Sequence, residues 1–173
     1  DGSNFHADVK LTALDVGGHG IMQVTIRDIS ARVAADAALR ATSAQLRERE
    51  QFIRTVTDNL PALVSYWDAD ARLRFANRPC LDWLGCTEEE ALGRHAADLI
   101  APEHMACFAP YLDGVLAGQP QRFECELPTP AGQPQRAPIH VWCSYLPDFD
   151  ADGRVRGVYK LHMNVTDLKH TES

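Results

Sequence analysis

The sequence predicts an α+β fold, in which a five-stranded antiparallel sheet carries helices on one face and follows an N-terminal β-hairpin and a long helix. Three patterns lead to this prediction. Residues 4–28 alternate between apolar and polar around a glycine-rich turn, and residues 30–58 contain neither proline nor glycine. Residues 59–173 alternate at both ends and have helical segments between, which favours one antiparallel sheet with helices on one side.

The composition is that of a folded domain that does not bind nucleic acid. Hydrophobic residues make up 45% of the 173 residues and charged residues 24%, so the chain can form a packed core. The formal net charge of −7 argues against nucleic-acid binding, which needs a clustered basic surface. No apolar run approaches the roughly 18–20 residues of a membrane span, so we expect no membrane contact within this segment.

The cysteines and histidines predict neither a disulfide framework nor a metal site. The cysteines number five, which is odd, and no CxxC occurs; this fits reduced thiols and a cytoplasmic location. The seven histidines show no spacing typical of zinc sites. No nucleophile elbow, P-loop or GxGxxG motif is present, so we predict no enzymatic activity in the segment.

The first 29 residues predict a β-hairpin. Residues 4–14 alternate, residues 17–20 form the turn, and residues 21–28 alternate again. An isolated hairpin is only marginally stable in water, so we interpret this one as part of a larger sheet.

Residues 30–58 predict a single helix of about 28 residues. Apolar residues recur along it every seven positions, at Leu39, Leu46 and Ile53. The other core positions of a heptad would be Ser43 and Glu50, which are polar, so half of a coiled-coil seam is present. We expect a parallel homodimer through this helix; the alternative is that the apolar stripe packs on the chain's own domain.

The remainder of the chain predicts five strands, with short helices between the second and the third. Thr87 and Glu90 are spaced as a capping box, and Gly85 and Gly118 predict helix ends. The predicted strands lie at about residues 62–68, 72–76, 120–128, 137–147 and 154–166.

Three segments of this region match the motifs of one known family. The segment "ALVSYWDADARLRFANRP" resembles the family's first hairpin, with Asn77 at the asparagine that opens a helix. The segment "LGCTEEEALGRHAADLI" is similar to a family segment in which a Gly, a Thr/Ser-x-Glu-Glu turn and a Gly-Arg recur. The segment "YLPDFDADGRVRGVYKLHMNVTDL" resembles the last hairpin, which closes on Asp167. The resemblance is greatest to PAS domains of bacterial sensor histidine kinases and cyclic-di-GMP enzymes.

The N-terminal residues resemble the last two strands of a second, upstream PAS domain. Asp28 then holds the place that Asp167 holds in the complete domain. The resemblance divides the chain into this hairpin at residues 1–29, a signalling helix at 30–58, and a complete PAS domain with the start of an output helix at 59–173.

The resemblance implies a sensory, ligand-binding and dimerisation module of a bacterial multidomain signal-transduction protein. A small molecule or a partner would repack the sheet, and Asp28 and Asp167 would couple strand ends to the helices that follow them. An output domain, of kinase or diguanylate cyclase/phosphodiesterase type, would follow in the same chain.

The PAS fold encloses a cavity between the concave face of its sheet and its long helix, which predicts a set of ligand-binding residues. Alternation on the last strand places Tyr159, Leu161 and Met163 on this face and the polar residues between them on the other. Trp67 and Trp142 are expected on the opposite face of the sheet. The remaining candidates are Val64, Tyr66, Phe123, Val141, Cys143 and Tyr145 on strands and Phe108, Tyr111 and Leu112 on the helix.

The sequence assigns no cofactor. Flavin photosensors of the family carry an Asn-Cys-Arg-Phe stretch where this chain has "RHAADLI", without cysteine. Haem-binding members place a ligand on the long helix, where Cys107 and His104 are the nearest candidates. Two alternatives to a small-molecule sensor stay open: a haem- or flavin-binding redox or gas sensor, and a ligand-free dimerisation scaffold with a filled core.

Overall fold

The structure, a computed structural model, describes residues 2, 4–127 and 138–165. The chain divides into two compact units, Asp1–Phe52 and Ile53–Ser173. Within the described residues, the first unit holds a β-hairpin and most of a long helix. The second holds the end of that helix, a five-stranded sheet and four shorter helices.

The predicted N-terminal hairpin is present. Its strands β1 (Ala7–Val16) and β2 (His19–Asp28) pair antiparallel over their full length. Gly17 and Gly18 form a two-residue turn with φ of 63° and 81°, a conformation that suits the twist of two paired strands. Asp15 supports the turn, because its Oδ1 accepts a hydrogen bond from the Gly18 N–H at 2.9 Å. The assignment of this hairpin to an upstream PAS domain stays a prediction.

Helix α1 (Ser30–Asp58) has the bounds that the sequence predicts. Asp28 caps its start, since its Oδ1 accepts a hydrogen bond from the Ser30 N–H at 2.8 Å. Hydrogen bonds from the side chain and then the backbone of Ser30 lower the pKa of Asp28. The role of Asp28 in signal coupling stays a prediction, and Asp167 lies outside the described residues.

The seven-residue stripe of α1 is exposed. Leu39 and Leu46 keep 68% and 66% of their surface accessible, and Ile53 is also exposed. An exposed apolar stripe is what a helix-mediated dimer needs, but the dimer itself stays a prediction.

The second unit contains the predicted five-stranded antiparallel sheet. The strand order is β4-β3-β7-β6-β5, and every neighbouring pair is antiparallel. β7 therefore lies at the centre of the sheet. The strands are β3 (Ala62–Asp68), β4 (Leu73–Ala76), β5 (Gln121–Leu127), β6 (Ile139–Phe149) and β7 (Val155–Asn164).

Shorter helices connect β4 to β5. Thr87 and Glu90 form the predicted capping box, and Gly85 ends the preceding helix with φ of 73°. The last helix continues through Pro110. The helices are α2 (Arg78–Leu84), α3 (Glu88–Ala91), α4 (Ala96–Leu99) and α5 (Pro102–Leu116).

The side-chain amide of Asn77 joins three elements and is fully buried. Its Nδ2 donates hydrogen bonds to the carbonyl of Thr57 in α1 at 2.7 Å and to that of Ala62 in β3 at 2.9 Å. Its Oδ1 accepts hydrogen bonds from the N–H of Val64 at 3.0 Å and from that of Cys80 in α2 at 3.1 Å. Both ends of the amide are therefore paired inside the protein.

Two groups of buried side chains form the core. The first lies between α5 and the sheet and consists of Phe108, Val115, Phe123, Leu127, Val141, Cys143, Tyr145 and Val158. The second lies among β3, β4 and the short helices and consists of Trp67, Leu73, Ala76, Cys80, Ala91, Ala96 and Ile100.

Replacing Asn77 with aspartate should strongly destabilise the fold. Asn77→Asp sets a carboxylate oxygen against the Thr57 and Ala62 carbonyls, so we expect the free energy of unfolding to fall by about 3–5 kcal/mol. Urea denaturation measures the change. The control is Asn59→Asp, because Asn59 donates a similar hydrogen bond to the Thr55 carbonyl on the surface, and we expect less than about 1 kcal/mol there. Equal losses in the two variants would contradict the joining role of Asn77.

Candidate ligand-binding site

The concave face of the sheet and α5 bring together most of the predicted pocket residues. Tyr111 stacks on Phe123 with ring centroids 3.6 Å apart, and Phe123 meets Tyr145 edge-on at 5.1 Å. These side chains share one packed cluster, so the structure places them on the expected side of the sheet, while contact with a ligand stays a prediction. The predicted residues in this cluster are Phe108, Tyr111, Leu112, Phe123, Val141, Cys143 and Tyr145.

The side chains of β7 have the opposite orientation to the predicted one. Tyr159 and Met163 are 49% and 41% exposed, whereas Lys160 and His162 are buried. The predicted inward orientation of Tyr159, Leu161 and Met163 is therefore wrong. The predicted inward orientation of Val64 and Tyr66 is also wrong. These residues pair directly with Leu161 and Tyr159 and therefore lie on the same outer face. Trp67 lies inward with Val158, while Trp142 pairs with Met163 on the outer face as expected.

A β-bulge in the β6–β7 hairpin explains the reversal. Phe149 pairs with Val155 but Asp148 pairs with Gly157, so Arg156 is an extra residue on β7. Without the bulge, Tyr145 would face Tyr159. With it, Tyr145 faces Lys160, and each later residue of β7 changes face.

Lys160 is the unusual residue of the concave face. Its side chain is buried, with 8% of the residue's surface accessible, and its Nζ lies 5.0 Å from the ring centroid of Trp67 and 5.1 Å from that of Tyr145. It has no hydrogen bond or ion pair with any residue that the structure describes. Burial lowers the pKa of Lys160 to about 8, so the side chain is still mostly a cation at pH 7.

His162, two residues further along β7, is a neutral neighbour of Lys160. A hydrogen bond of 3.0 Å joins its Nε2 to the Tyr145 hydroxyl, and its ring stacks on Phe108 at 5.2 Å. Burial first, and the charge of Lys160 second, lower the pKa of His162 to about 3. Burial also raises the pKa of Tyr145 well above its usual value, so neither group carries a charge near neutral pH.

Three cavities in the described part of the chain lie in sequence along the inner face of β7. A cavity of about 90 Å³ borders Val158 and Lys160, one of about 20 Å³ borders Lys160 and His162, and one of about 220 Å³ borders His162 and Asn164. Lys160 thus separates the first cavity from the second, and His162 separates the second from the third. Trp67, Ala71, Ala96, Met105, Leu112 and Leu116 contribute to the wall of the 90 Å³ cavity.

A family model described as PAS fold matches residues 57–170. The chain belongs to the PAS family. PAS domains are sensory and signalling modules rather than catalytic ones, and the antiparallel sheet with its covering helices is the fold that the resemblance implied.

Solved structures of similar fold share little sequence with this PAS domain. The PAS domain of Bordetella pertussis BvgS is 18% identical with a TM-score of 0.53, and the match covers 75% of this chain and 94% of that one. VqmA bound to DPO is 21% identical with a TM-score of 0.54, over 71% of this chain and 60% of VqmA. An RNA-binding light-oxygen-voltage receptor is 15% identical with a TM-score of 0.51, over 71% of this chain and 34% of the receptor. At these identities the likeness shows the fold.

No curated protein sequence matches the chain. Among the residues that the structure describes, no helix is long and apolar enough to cross a membrane. The same residues contain no group of three or more His, Cys, Asp or Glu side chains that could hold a metal ion.

The haem candidates of α5 do not fit a haem site in this structure. His104 is buried and packs on Trp83 with ring centroids 5.2 Å apart, and the Cys107 thiol donates to the Glu103 carbonyl at 3.7 Å. The cavities that border Lys160 measure about 20 and 90 Å³, well below the roughly 300 Å³ at which sites for large ligands begin. These two cavities are therefore too small for haem or flavin in this conformation.

The cysteines of the concave face form a thiol pair in the core. The Sγ atoms of Cys125 and Cys143 are 3.7 Å apart, and the two are not joined by a disulfide. Hydrogen bonding to Cys125, together with burial, raises the pKa of Cys143. Cys143 is therefore a protonated core residue rather than a reactive thiolate.

Sequence reasoning missed Lys160, His162 and Trp67 as pocket residues, because it placed polar residues of an alternating strand outside. One signal could have found them. The inward set of β6 was predicted correctly, and pairing β7 to β6 with one bulged residue in the hairpin brings Lys160 and His162 beside Tyr145 and Cys143.

The burial of Lys160 predicts a specific dependence of stability on pH. Its pKa is lower in the folded state than in the unfolded chain, so the unfolded chain binds more protons between about pH 8 and pH 10.5. Stability from this residue therefore rises with pH through that window, by up to about 3 kcal/mol. We expect the difference in unfolding free energy between wild type and Lys160→Met to change by that amount in urea titrations from pH 7 to pH 10.5.

Other groups titrate in the same window, so the comparison needs a matched control. Lys10→Met removes the same charge from the exposed hairpin and measures the effect of losing one lysine charge outside the cavities. If the difference in unfolding free energy between wild type and Lys160→Met does not change with pH, the pKa of Lys160 is not lowered in the folded state.

Proposed function

We propose that this PAS domain is a small-molecule sensor of a bacterial multidomain signalling protein, and that it reports the occupancy of its concave cavities to an output domain later in the chain. The observation that carries the proposal is the position of β7. The same strand borders all three cavities, and directly after it the Val165 N–H donates to the His140 carbonyl at 2.9 Å.

A ligand in these cavities acts on β7 directly, because Val158, Lys160 and His162 form the cavity walls. A ligand shifts the equilibrium between two arrangements of the strand only by the difference in its affinity for them. The chain that follows β7 contains Asp167, which the family resemblance places at the start of the output helix. Repacking of the inner face of β7 would thus reach the output helix with no intermediate element.

A similar protein supports ligand binding by this fold. The structure of VqmA to which this chain is similar is bound to DPO, and a second VqmA structure is described as a dimer. The cavities here are of a size for a small molecule, and they are lined by apolar and aromatic side chains with a few polar groups, as ligand sites usually are.

Native mass spectrometry of the purified chain tests the proposal. We expect a bound mass far below that of haem or flavin, which leaves on denaturation. Ala96 is buried in the wall of the 90 Å³ cavity, whereas the adjacent Ala97 is exposed. Ala96→Leu should fill the cavity and lose the bound mass, and Ala97→Leu should keep it. A wild-type chain without bound mass, in which hydrogen exchange of β7 is unchanged by any added small molecule, contradicts the sensor and favours the ligand-free scaffold.

We also propose that α1 forms a parallel homodimer through Leu39, Leu46 and Ile53, whose exposed side chains favour a partner helix. Leu39→Glu/Leu46→Glu should convert the dimer to a monomer in light-scattering measurements, because four like charges would meet in the seam. Ala41→Glu/Gln45→Glu adds the same charge at outer positions of the heptad and should leave the dimer intact. Equal behaviour of the two variants would contradict this interface.

A further inference from the structure

The side chain of Lys160 is buried, and it forms no ion pair with any described residue. It borders two cavities at once, and its Nζ lies 5.0 and 5.1 Å from the ring centroids of Trp67 and Tyr145. Aromatic faces attract a cation, but they do not replace the hydrogen-bond acceptors that an ammonium group has in water. A buried charge in proteins is normally paired, so the absence of a protein acceptor points to one supplied from outside.

A second hydrogen-bond donor lines the same 20 Å³ cavity and has no acceptor among the described residues. Trp83 of α2 borders the 20 Å³ cavity with Lys160, and its Nε1–H is buried without an acceptor among the described residues. Nearly all buried N–H groups in proteins find a partner. Lys160 and Trp83 thus both offer donors beside one small space.

The surroundings of Lys160 offer no compensating negative charge. Its titratable neighbours in the 20 Å³ cavity are His162, Tyr145 and Cys80, and no Asp or Glu of the described residues borders that cavity. Burial raises the pKa of Cys80 to about 12, so this thiol is neutral as well. The cavity wall is therefore net positive.

The 90 Å³ cavity has one carboxylate in its wall, and that carboxylate is already paired. Asp68 accepts hydrogen bonds from the Arg74 Nε at 2.6 Å and from the N–H of Asp70 and Arg72 at 3.0 and 2.9 Å. It forms no ion pair with Lys160. His95 also borders this cavity, and its Nδ1 accepts a hydrogen bond from the Ala97 N–H at 3.1 Å. Neither residue supplies Lys160 with an anion.

We propose that the ligand of this PAS domain is a small carboxylic acid, bound as its carboxylate to Lys160 with its apolar body in the 90 Å³ cavity. The inference rests on the sensor function proposed above. One carboxylate oxygen accepts from the Lys160 ammonium, and the other is available to the Trp83 indole N–H. The apolar body lies among Ala71, Ala96, Met105, Leu112 and Leu116.

The size of the cavities limits the acid. An apolar cavity of about 150 Å³ holds a benzene molecule with its six non-hydrogen atoms, so about 90 Å³ beside about 20 Å³ holds an acid of roughly four to six non-hydrogen atoms. The 20 Å³ cavity has room for little more than one polar group. This places the carboxylate near Lys160 and the hydrocarbon on the larger side.

Calorimetric titration of the whole chain with acetate, propionate and butyrate, each compared with its primary amide, tests the ligand class. The amide keeps the shape of the acid and removes its charge. We expect at least one carboxylate to bind about tenfold or more tightly than its amide, because a charge-assisted hydrogen bond in a buried site is about twice as strong as a neutral one.

Substitutions test whether Lys160 and Trp83 cause the preference for the acid over its amide. Lys160→Met keeps the length of the side chain and should lower carboxylate affinity about tenfold or more, while leaving amide affinity nearly unchanged. Trp83→Phe should weaken the carboxylate about threefold to tenfold. Lys10→Met, the matched loss of one charge on the exposed hairpin, should have no effect. If Lys160→Met does not fold, the comparison of acid with amide on the wild-type chain decides alone.

The outcomes separate this inference from the sensor function. Equal binding of acids and amides overturns the carboxylate proposal and leaves the sensor standing. A neutral co-purified molecule whose affinity is unchanged by Lys160→Met also overturns the carboxylate proposal and leaves the sensor standing. No binding of any probe, together with no co-purified mass, overturns both. A preference for acids that disappears in Lys160→Met supports both.

Discussion

The side-chain amide of Asn77 holds the end of α1, the first strand of the sheet and the start of α2 at fixed distances from one another. Its two donors and its acceptor oxygen are all used inside the protein, so none of these elements can move without leaving a buried polar group unpaired. α2 carries Cys80, Trp83 and Leu84 to the cavity beside Lys160. The position of that cavity wall therefore depends on one amide group at the start of α2.

A consequence of this arrangement is that the cavity has two connections to helical segments. Through Asn77, the wall formed by α2 is joined to the last turn of α1, and through β7 the opposite wall is joined to the chain that follows the domain. A ligand that changes the spacing of the two walls acts on both connections. In the sensor function proposed above, both connections would depend on one set of packed residues.

Most of the fold could be predicted from the sequence, because the local signals agree with the final structure. The absence of Pro and Gly defines α1 to the residue, the capping box at Thr87 appears as expected, and the hairpin forms around Gly17 and Gly18. The order of the strands in the sheet was not predicted, because local patterns do not contain it. The helix pattern, the capping box and the glycine turn depend on residues close together in the sequence, so tertiary packing does not change them.

The site could be predicted only in part, because one bulged residue reverses a whole strand. The inward residues of β6 and α5 were correct, since their apolar character and their burial agree. On β7 the rule that polar residues face water fails, because Lys160 and His162 are buried. Burial lowers the pKa of both side chains, so His162 is neutral and Lys160 is partly neutral near pH 7. The alternation of polar and apolar residues does not show which of the two faces is buried. The bulge at Arg156 depends on how the hairpin pairs with β6.

The bulge also leaves a contact across three strands on the outer face of the sheet. A Cβ at Gly157 would lie 2.2 Å from the Tyr66 hydroxyl, so only glycine lets Tyr66 cross β7. The hydroxyl donates to Asp148 of β6 at 2.8 Å, and Arg156 Nε donates to the same oxygen at 2.8 Å. Tyr66 and Asp148 thus join β3 to β6 over the strand whose orientation the bulge reverses.

The lowered pKa of Lys160 has a meaning for its reactivity as well as for its charge. With a pKa of about 8, a larger fraction of Lys160 than of an ordinary lysine is a neutral amine at pH 7. A neutral amine has a free electron pair and is a nucleophile. An aldehyde or acylating reagent small enough to enter the cavities would therefore find in Lys160 an amine more available than that of an ordinary lysine, and would label the interior of the protein covalently.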